Sequence, residues 1–299
     1  MDVCGRCRAR LVPQIPLCPQ CGHDRSLEGG DRRIVGGRYQ LGRLLGSGGM
    51  GRVFEAVDLE TKEEVALKML HAIDAASLSR FRREALAIER LDHPAAVRLR
   101  AFETPVDLAP FIVMERIDGA TLDEVLDTER ILPPTRIRRI LAQVLDVLAA
   151  AHERSVLHRD LKPSNIMLLD EDRVKICDFG GAKILEGDGS TRITRTGHTL
   201  GTPAYMAPEQ IENRAVDGRA DLYSVGVLLY RMLSGRLPFE SQNREALLYQ
   251  QLLQAPRPPS QVADAEVPHA MEVVCLRALA KQPEARYPNA RAMAEALTA

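Results

Sequence analysis

Residues 158–165 read His158-Arg159-Asp160-Leu161-Lys162-Pro163-Ser164-Asn165, and Asp178-Phe179-Gly180 begins thirteen residues after Asn165. One short loop therefore holds an aspartate, a lysine and an asparagine, and a second aspartate follows it. Transfer of a phosphoryl group needs a carboxylate that orients the attacking hydroxyl and a cation beside the migrating phosphate. It also needs an amide and a carboxylate that hold magnesium. The order of these residues indicates a phosphoryl-transfer site.

A nucleotide site is then expected upstream, and residues 45–53 provide a candidate with the pattern G-x-G-x-x-G-x-V. Glycines let backbone N–H groups approach phosphates closely, because no Cβ stands in the way. Dinucleotide-binding folds use a similar pattern at a strand-to-helix turn. Here the flanking residues 39–41 and 53–57 read as strands, and no helix follows the third glycine at once. The pattern therefore favours a strand–turn–strand loop.

Lys68 lies within the apolar stretch 65–70, and a buried lysine needs an anion as its partner. Residues 79–91 predict a helix that supplies one, since they place four apolar side chains on one face at helical spacing: Phe81, Ala85, Ile88 and Leu91. Glu84 lies beside that face and is the favoured partner of Lys68. Glu89 is the competing candidate, although it lies on the opposite, arginine-rich face.

Together these motifs resemble the signatures of protein kinases, and the chain is similar to the bacterial eukaryotic-like (Hanks-type) serine/threonine branch. Lys162, and Thr202 ahead of Tyr205, resemble the serine/threonine-specific pattern rather than the tyrosine-specific one. The resemblance implies an α+β, two-lobed fold over residues 38–299. Residues 38–115 would form a small β-rich N-lobe and residues 118–299 a large helical C-lobe.

The resemblance also implies roles for individual residues. Asp160 would accept the proton of the substrate hydroxyl, and Lys162 would stabilise the transferring phosphoryl group. Asn165 and Asp178 would bind Mg²⁺, which Mn²⁺ could replace, and the Lys68–Glu84 pair would hold the α- and β-phosphates of ATP. The other residues expected to contact ATP are Leu45, Gly46, Ser47, Gly48, Gly49, Met50, Gly51, Val53, Ala66, Glu115, Ile117 and Met167.

Residues 185–199 are rich in glycine, serine and threonine, and they precede residues 201–209, which resemble the end of a kinase activation segment. Arg159 would need an anion if it were buried, and a phosphothreonine could provide it. Thr194 and Thr196 are the expected phosphorylation sites, with Thr191 and Thr199 as the alternative positions, by autophosphorylation in trans between self-associating molecules. The alternative is a merely polar loop. The resemblance also implies a structural Glu209–Arg286 ion pair and a buried Asp221 that anchors the catalytic loop.

Four of the six cysteines occur in the first twenty-one residues, as two C-x-x-C pairs: Cys4, Cys7, Cys18 and Cys21. Four thiolates in this arrangement can surround one Zn²⁺, and the segment resembles a zinc ribbon. Alternatives are a redox dithiol pair or unliganded cysteines. Residues 1–24 are therefore predicted to form a zinc-ribbon-like module with structural Zn²⁺, and residues 25–37 a linker. Cys177 and Cys275 stand in apolar surroundings and are expected to be core thiols.

Composition restricts the function classes further. Forty basic and forty-one acidic residues give a net charge of −1, which argues against a nucleic-acid or membrane partner. The apolar runs are too short to span a bilayer, and the N-terminus lacks the apolar core of a signal peptide. A cytoplasmic kinase acting on protein substrates is the leading hypothesis. A nucleotide-binding pseudokinase scaffold that signals through the ribbon is the alternative, and nucleic-acid contact by the ribbon is a third.

Overall fold

The structure is a computed structural model, and it describes residues 34–48, 51–70, 75–105, 109–179, 183–184 and 203–298. A sheet with one helix forms the N-terminal part, and a mostly helical part follows residue 115. The α+β, two-lobed organisation predicted from the sequence is confirmed. Within the described ranges, no helix is both long and apolar enough to cross a membrane.

The N-lobe is a six-stranded antiparallel sheet with strand order β1-β2-β3-β4-β6-β5. Its strands are β1 (Ile34–Val35), β2 (Tyr39–Ser47), β3 (Gly51–Asp58), β4 (Glu64–Leu70), β5 (Leu99–Glu103) and β6 (Phe111–Glu115). Strand β1 lies inside the range predicted to be a linker. It pairs there with the start of β2 because Val35 is fully buried in the sheet's smaller core cluster.

Helix α1 (Ala75–Arg90) packs on the face of this sheet opposite the smaller core cluster that contains Val35. Its predicted apolar face is the buried one, since Phe81, Ala85 and Ile88, with Leu91 just after the helix, are each at most 3% exposed. These side chains join the large hydrophobic cluster that continues into the C-lobe. The same burial brings Glu84, which lies next to that face, into the interior.

The C-lobe is built around two long helices. Helix α3 (Pro134–Glu153) begins at the proline pair 133–134, and α5 (Arg219–Ser234) is buried along nearly its whole length. The other helices are α2 (Leu122–Glu129), α4 (Pro208–Ile211), α6 (Arg244–Leu253), α7 (His269–Ala278) and α8 (Ala290–Thr298). Helix α5 contacts α3, α7 and α8, and therefore forms the centre of the lobe.

Short strands in the C-lobe position the predicted catalytic residues. They are β7 (Ala120–Thr121), β8 (Val156–Leu157), β9 (Ile166–Leu168), β10 (Val174–Ile176) and β11 (Lys183–Ile184). Residues 158–165 connect β8 to β9, and β9 and β10 form an antiparallel hairpin. Asp178 follows β10 after one residue, so both predicted motifs emerge at neighbouring strand ends.

Candidate active site

The backbone of the catalytic loop is held by one buried carboxylate on α5. Asp221 is 1% exposed, and its two oxygens accept the backbone N–H groups of His158 at 3.0 Å and Arg159 at 2.8 Å. The ring of His152 lies 2.8 Å from the same carboxylate. Burial opposes the charge on Asp221, but these bonds outweigh it and hold the pKa of the carboxyl below its usual value. The loop is therefore fixed immediately before Asp160.

Asp160, Lys162 and Asn165 converge on this fixed loop. The Lys162 ammonium lies 2.9 Å from Oδ2 of Asp160, and the Asn165 amide donates to the Asp160 carbonyl at 2.8 Å. Asn165 is 5% exposed, and its backbone carbonyl accepts the backbone N–H of Cys177 at 2.8 Å. This last bond ties the loop to the strand end that carries Asp178. The carboxylate, ammonium and amide thus share one side of the cleft.

Lys68 on β4 lies between two carboxylates from different parts of the chain. Its ammonium is 2.6 Å from Oε1 of Glu84 and 2.8 Å from Oδ1 of Asp178. Burial opposes the charge on Lys68, but the two carboxylates outweigh it and raise the pKa of the ammonium. Glu84 is 1% exposed, whereas Glu89 is exposed on the opposite side of α1. Of the two glutamates, Glu84 is therefore the one that pairs with Lys68 in the structure.

Two residues beside the site adopt left-handed backbone conformations that non-glycine residues rarely use. The φ angle is +64° at Arg159 and +58° at Asp178. Such conformations persist where the surroundings over-determine them, and they cluster at functional sites. Here the Asp221 bond holds Arg159, and the Lys68 ion pair holds Asp178.

A packed column joins the two lobes behind the site. The rings of His158 and Phe179 are both fully buried, with centroids 4.8 Å apart. Phe179 and Ile88 of α1 belong to the same hydrophobic cluster, and Leu99 of β5 packs against it. The structure brings His158 and Phe179 into direct contact and places Ile88 and Leu99 in or against the same core.

The predicted nucleotide cleft opens between the sheet and the β9–β10 hairpin. Gly51 must be a glycine, because a Cβ there would lie 2.1 Å from the carbonyl oxygen of Met69. Val53 and Ala66 provide apolar surface from β3 and β4, and Met167 is half-buried on β9. Residues 45–48 at the end of β2 are exposed. The arrangement leaves one apolar wall from each lobe for a flat ring.

The edge of this cleft at residues 115–117 carries the predicted adenine contacts. The N–H of Glu115 already donates to the carbonyl of Arg98 at 3.0 Å, and its carboxylate accepts from Lys175 of the C-lobe. In the described part of the chain, the backbone of Ile117 makes no hydrogen bond. An adenine ring at this edge can therefore use the Glu115 carbonyl and the Ile117 backbone.

The donor set fits a magnesium nucleotide. Mg²⁺ prefers carboxylate and amide oxygens, and Asp178 and Asn165 provide one of each on adjoining strand ends. The Lys68 ammonium beside Asp178 is a point charge suited to phosphate oxygens. Some predicted site residues lie outside the described residues. They are Gly49, Met50, Thr194, Thr196 and the four cysteines Cys4, Cys7, Cys18 and Cys21.

Several residues around the site were not anticipated from the sequence. His152 bonds to Asp221, and Gln210 of α4 donates its side-chain N–H to the Arg159 carbonyl at 2.9 Å. Gln251 of α6 is fully buried and contacts residues 203–204. Gln251 alone carried a signal, because it occupies an inward position on a helix whose neighbouring inward positions are Leu247 and Leu248.

Comparison with known proteins shows the family of the chain. The family model described as "Protein kinase domain" matches residues 39–297. Serine/threonine-protein kinase pkn3 of Myxococcus xanthus is 42% identical over 276 residues, which are 89% of this chain and 50% of that protein. A probable serine/threonine-protein kinase of Streptomyces coelicolor is 41% identical over 269 residues, 87% of this chain and 39% of that protein.

PknB of Mycobacterium tuberculosis, a serine/threonine-protein kinase by name, is 39% identical over 262 residues. The match covers 86% of this chain and 42% of that protein. The chain thus spans between 39% and 50% of the length of these curated relatives. The matched region includes the described residues of the candidate active site, from β2 to α6, and not the four N-terminal cysteines.

Proposed function

Because this chain belongs to the protein kinase domain family, we propose that it transfers the γ-phosphoryl group of ATP to serine or threonine hydroxyls of proteins. One observation carries the proposal. Lys68 of the N-lobe pairs with Asp178 of the C-lobe. The strand end that carries Asp178 is joined to the Asp160–Lys162–Asn165 loop by the 2.8 Å backbone bond from Cys177 to Asn165. The charged groups that phosphoryl transfer needs therefore lie on connected parts of the chain, which supports the proposal.

Each residue has a separate task in this proposal. Asp160 orients the acceptor hydroxyl and takes its proton, and Lys162 stabilises charge on the transferring group. Lys68 binds the α- and β-phosphates, and the buried carboxylate of Glu84 fixes the position of its ammonium. Mg²⁺ held by Asn165 and Asp178 would neutralise the phosphate oxygens when bound. Glu115 and Ile117 orient adenine at the cleft edge.

Phosphorylation of Thr194 and Thr196 is the proposed switch. Arg159 supports it, because its buried Nε has no hydrogen-bond partner among the described residues. Burial, with the nearby Arg83 guanidinium, lowers the pKa of Arg159 despite the opposing effect of Asp221. An arginine pair of this kind favours an anion, and a phosphate brings about −1.5 to −2 charges. Transfer between two self-associated molecules would supply it.

The test is phosphoryl transfer by the purified protein. Incubation with γ-labelled ATP and Mg²⁺, alone and with protein substrates, followed by mapping of the phosphorylated residues, should give labelled serine or threonine. Label on Thr194 and Thr196 supports the switch. Nucleotide binding without any transfer would instead favour the scaffold function.

The zinc ribbon of residues 1–24 rests on the sequence pattern of Cys4, Cys7, Cys18 and Cys21 alone. It is proposed as a docking or sensing module whose fold depends on Zn²⁺ in the reducing cytoplasm. Elemental analysis of the full chain should give about one zinc per molecule. The variant with Cys18→Ser and Cys21→Ser should lose it, and Cys177→Ser, in the kinase lobes, should retain it. Equal zinc content in the two variants would refute the ribbon.

A further inference from the structure

Gln251 is the fully buried polar side chain of α6, and each end of its amide has a partner. Its side-chain nitrogen lies 2.6 Å from the carbonyl oxygen of Ala204 and 3.3 Å from that of Pro203. Its side-chain oxygen accepts the hydroxyl of Tyr223. Because backbone carbonyls only accept, the amide has one orientation that satisfies all three groups.

The chain of donors extends beyond Tyr223. The ammonium of Lys281 lies 3.4 Å from the Tyr223 hydroxyl, and it also donates to the backbone carbonyl of Gln251 at 2.7 Å. The same ammonium lies 4.1 Å from the centre of the Phe239 ring. Hydrogen bonds in such a buried series polarise one another, so that the network holds Gln251 rigidly. At one end of this network, Gln251 donates to the backbone carbonyl of Ala204.

Residues 203–205 form one turn of 3-10 helix whose backbone is held by helices on two sides. Gln251 holds the Ala204 carbonyl from α6, and the hydroxyl of Ser224 on α5 holds the Tyr205 carbonyl at 2.8 Å. Further along, Gln210 accepts the N–H of Ala207 and donates to the Arg159 carbonyl. The segment therefore lies next to the loop that carries Asp160.

We propose that Gln251 is a positioning residue for the protein substrate, an inference that rests on the proposed kinase function. The bonds of Gln210 to the Ala207 N–H and to the Arg159 carbonyl place the chain just after residues 203–205 beside the loop that carries Asp160, and in this proposal a polypeptide that presents its hydroxyl to Asp160 passes along residues 203–205. By fixing the Ala204 carbonyl, Gln251 sets the shape of this substrate-facing segment. Removing the Gln251 amide weakens productive binding of the polypeptide and leaves ATP binding and ATP hydrolysis unchanged.

The experiment compares Gln251→Met with Gln250→Met in the full chain. Methionine is close to glutamine in size and lacks both polar groups, and Gln250 is the adjacent residue on the same helix. The acceptor is a peptide that the parent enzyme phosphorylates, chosen from a degenerate serine/threonine library. We expect Gln251→Met to raise KM for this peptide about tenfold, equivalent to about 1.4 kcal/mol. The KM for ATP and the rate of ATP hydrolysis without peptide should match those of the parent. In Gln250→Met, the KM for the peptide, the KM for ATP and the rate of ATP hydrolysis should all match those of the parent.

Tyr223→Phe provides a second variant, because it removes the hydroxyl that orients the Gln251 amide and retains the ring. It should raise the peptide KM by a smaller factor. The double variant should raise the peptide KM no further than Gln251→Met alone, because both substitutions break the same hydrogen-bond network. A peptide KM unchanged in Gln251→Met would overturn the inference. So would a parallel loss of ATP hydrolysis, which would indicate a merely structural role. If the parent phosphorylates no library peptide, the kinase proposal itself fails.

Discussion

The ammonium of Lys68 lies 2.6 Å from Oε1 of Glu84, and both side chains are almost completely buried. This pair connects strand β4 to helix α1, and Lys68 also contacts Asp178 beyond the C-lobe strand β10. A carboxylate buried in this way is tolerated because a cation partner lies beside it. The position of α1 is therefore coupled to the position of the phosphate-binding lysine.

Replacing Glu84 by glutamine should impair phosphoryl transfer. The amide oxygen can still accept from Lys68, but the charge that fixes the ammonium is lost, so we expect kcat/KM for ATP to fall at least tenfold, about 1.4 kcal/mol. Glu89→Gln makes the same change on the exposed side of the same helix and should match the parent. Steady-state kinetics checks both variants. Equal activity of the two would contradict the role of the pair.

Asp221→Asn should destabilise the catalytic loop. The NH2 group of the asparagine cannot accept a hydrogen bond, so it would face an N–H donor of His152, His158 or Arg159 without forming one. We expect a loss of about 3 kcal/mol in the free energy of unfolding at pH 7. The folded-state pKa of Asp221 is lowered, so its contribution is present above the unfolded value of about 3.9 and lost as pH falls.

Urea denaturation of the parent and the Asp221→Asn variant at several pH values tests this prediction. The difference in stability between them should be largest above pH 5 and should narrow below about pH 4. A difference that widens on acidification would show that the carboxylate is not the charged, stabilising form.

Arg286→Met should destabilise the C-lobe strongly. Arg286 makes two bonds to Glu209, at 2.7 and 2.8 Å, and both side chains are at most 4% exposed. Removing one partner leaves a buried charge uncompensated, so we expect a loss of about 3–5 kcal/mol.

The matched control is Arg291→Met, since Arg291 lies 2.6 Å from Glu153 but both of these side chains are more than half exposed. Exposed pairs contribute little, and no measurable change is expected. Thermal and urea denaturation distinguish the two variants. Similar stability losses would show that burial does not determine the value of these ion pairs.

The double substitution Thr194→Ala and Thr196→Ala should leave ATP binding intact and reduce activity toward other proteins about tenfold or more. Each charge-assisted bond to the missing phosphates contributes on the order of 1.5–3 kcal/mol. Thr191→Ala with Thr199→Ala is the control from the same segment and should retain activity. If the first double variant phosphorylates a protein substrate as fast as the parent, these threonines are not the switch.

Local spacing made much of this site predictable. Asp160, Lys162 and Asn165 lie on one loop, so their mutual proximity follows from the chain itself. Helices α3 and α5 follow from apolar periodicity, and burial of one face of α1 places Glu84 inside. For these residues, short-range pattern and tertiary structure agree.

Long-range contacts explain what the sequence left out. The start of the sheet at Ile34 depends on the burial of Val35, and the glutamines 210 and 251 act through carbonyls 51 and 47 residues away in the chain. Helical position marks Gln251 as inward, but a glutamine side chain has no pattern that shows which backbone carbonyl it will contact. Its role depends on which backbone carbonyls the fold brings beside it.

Asp160→Asn tests the central claim most directly. A catalytic base acts on the transition state and not on bound ATP, so the variant should keep its affinity for nucleotide within a few-fold while losing most of its turnover. The measurement is transfer of label from γ-labelled ATP to protein, beside the equilibrium affinity for ATP. Intact binding with transfer nearly abolished is the predicted result. Autophosphorylation by Asp160→Asn at the rate of the parent would contradict the assignment of this site.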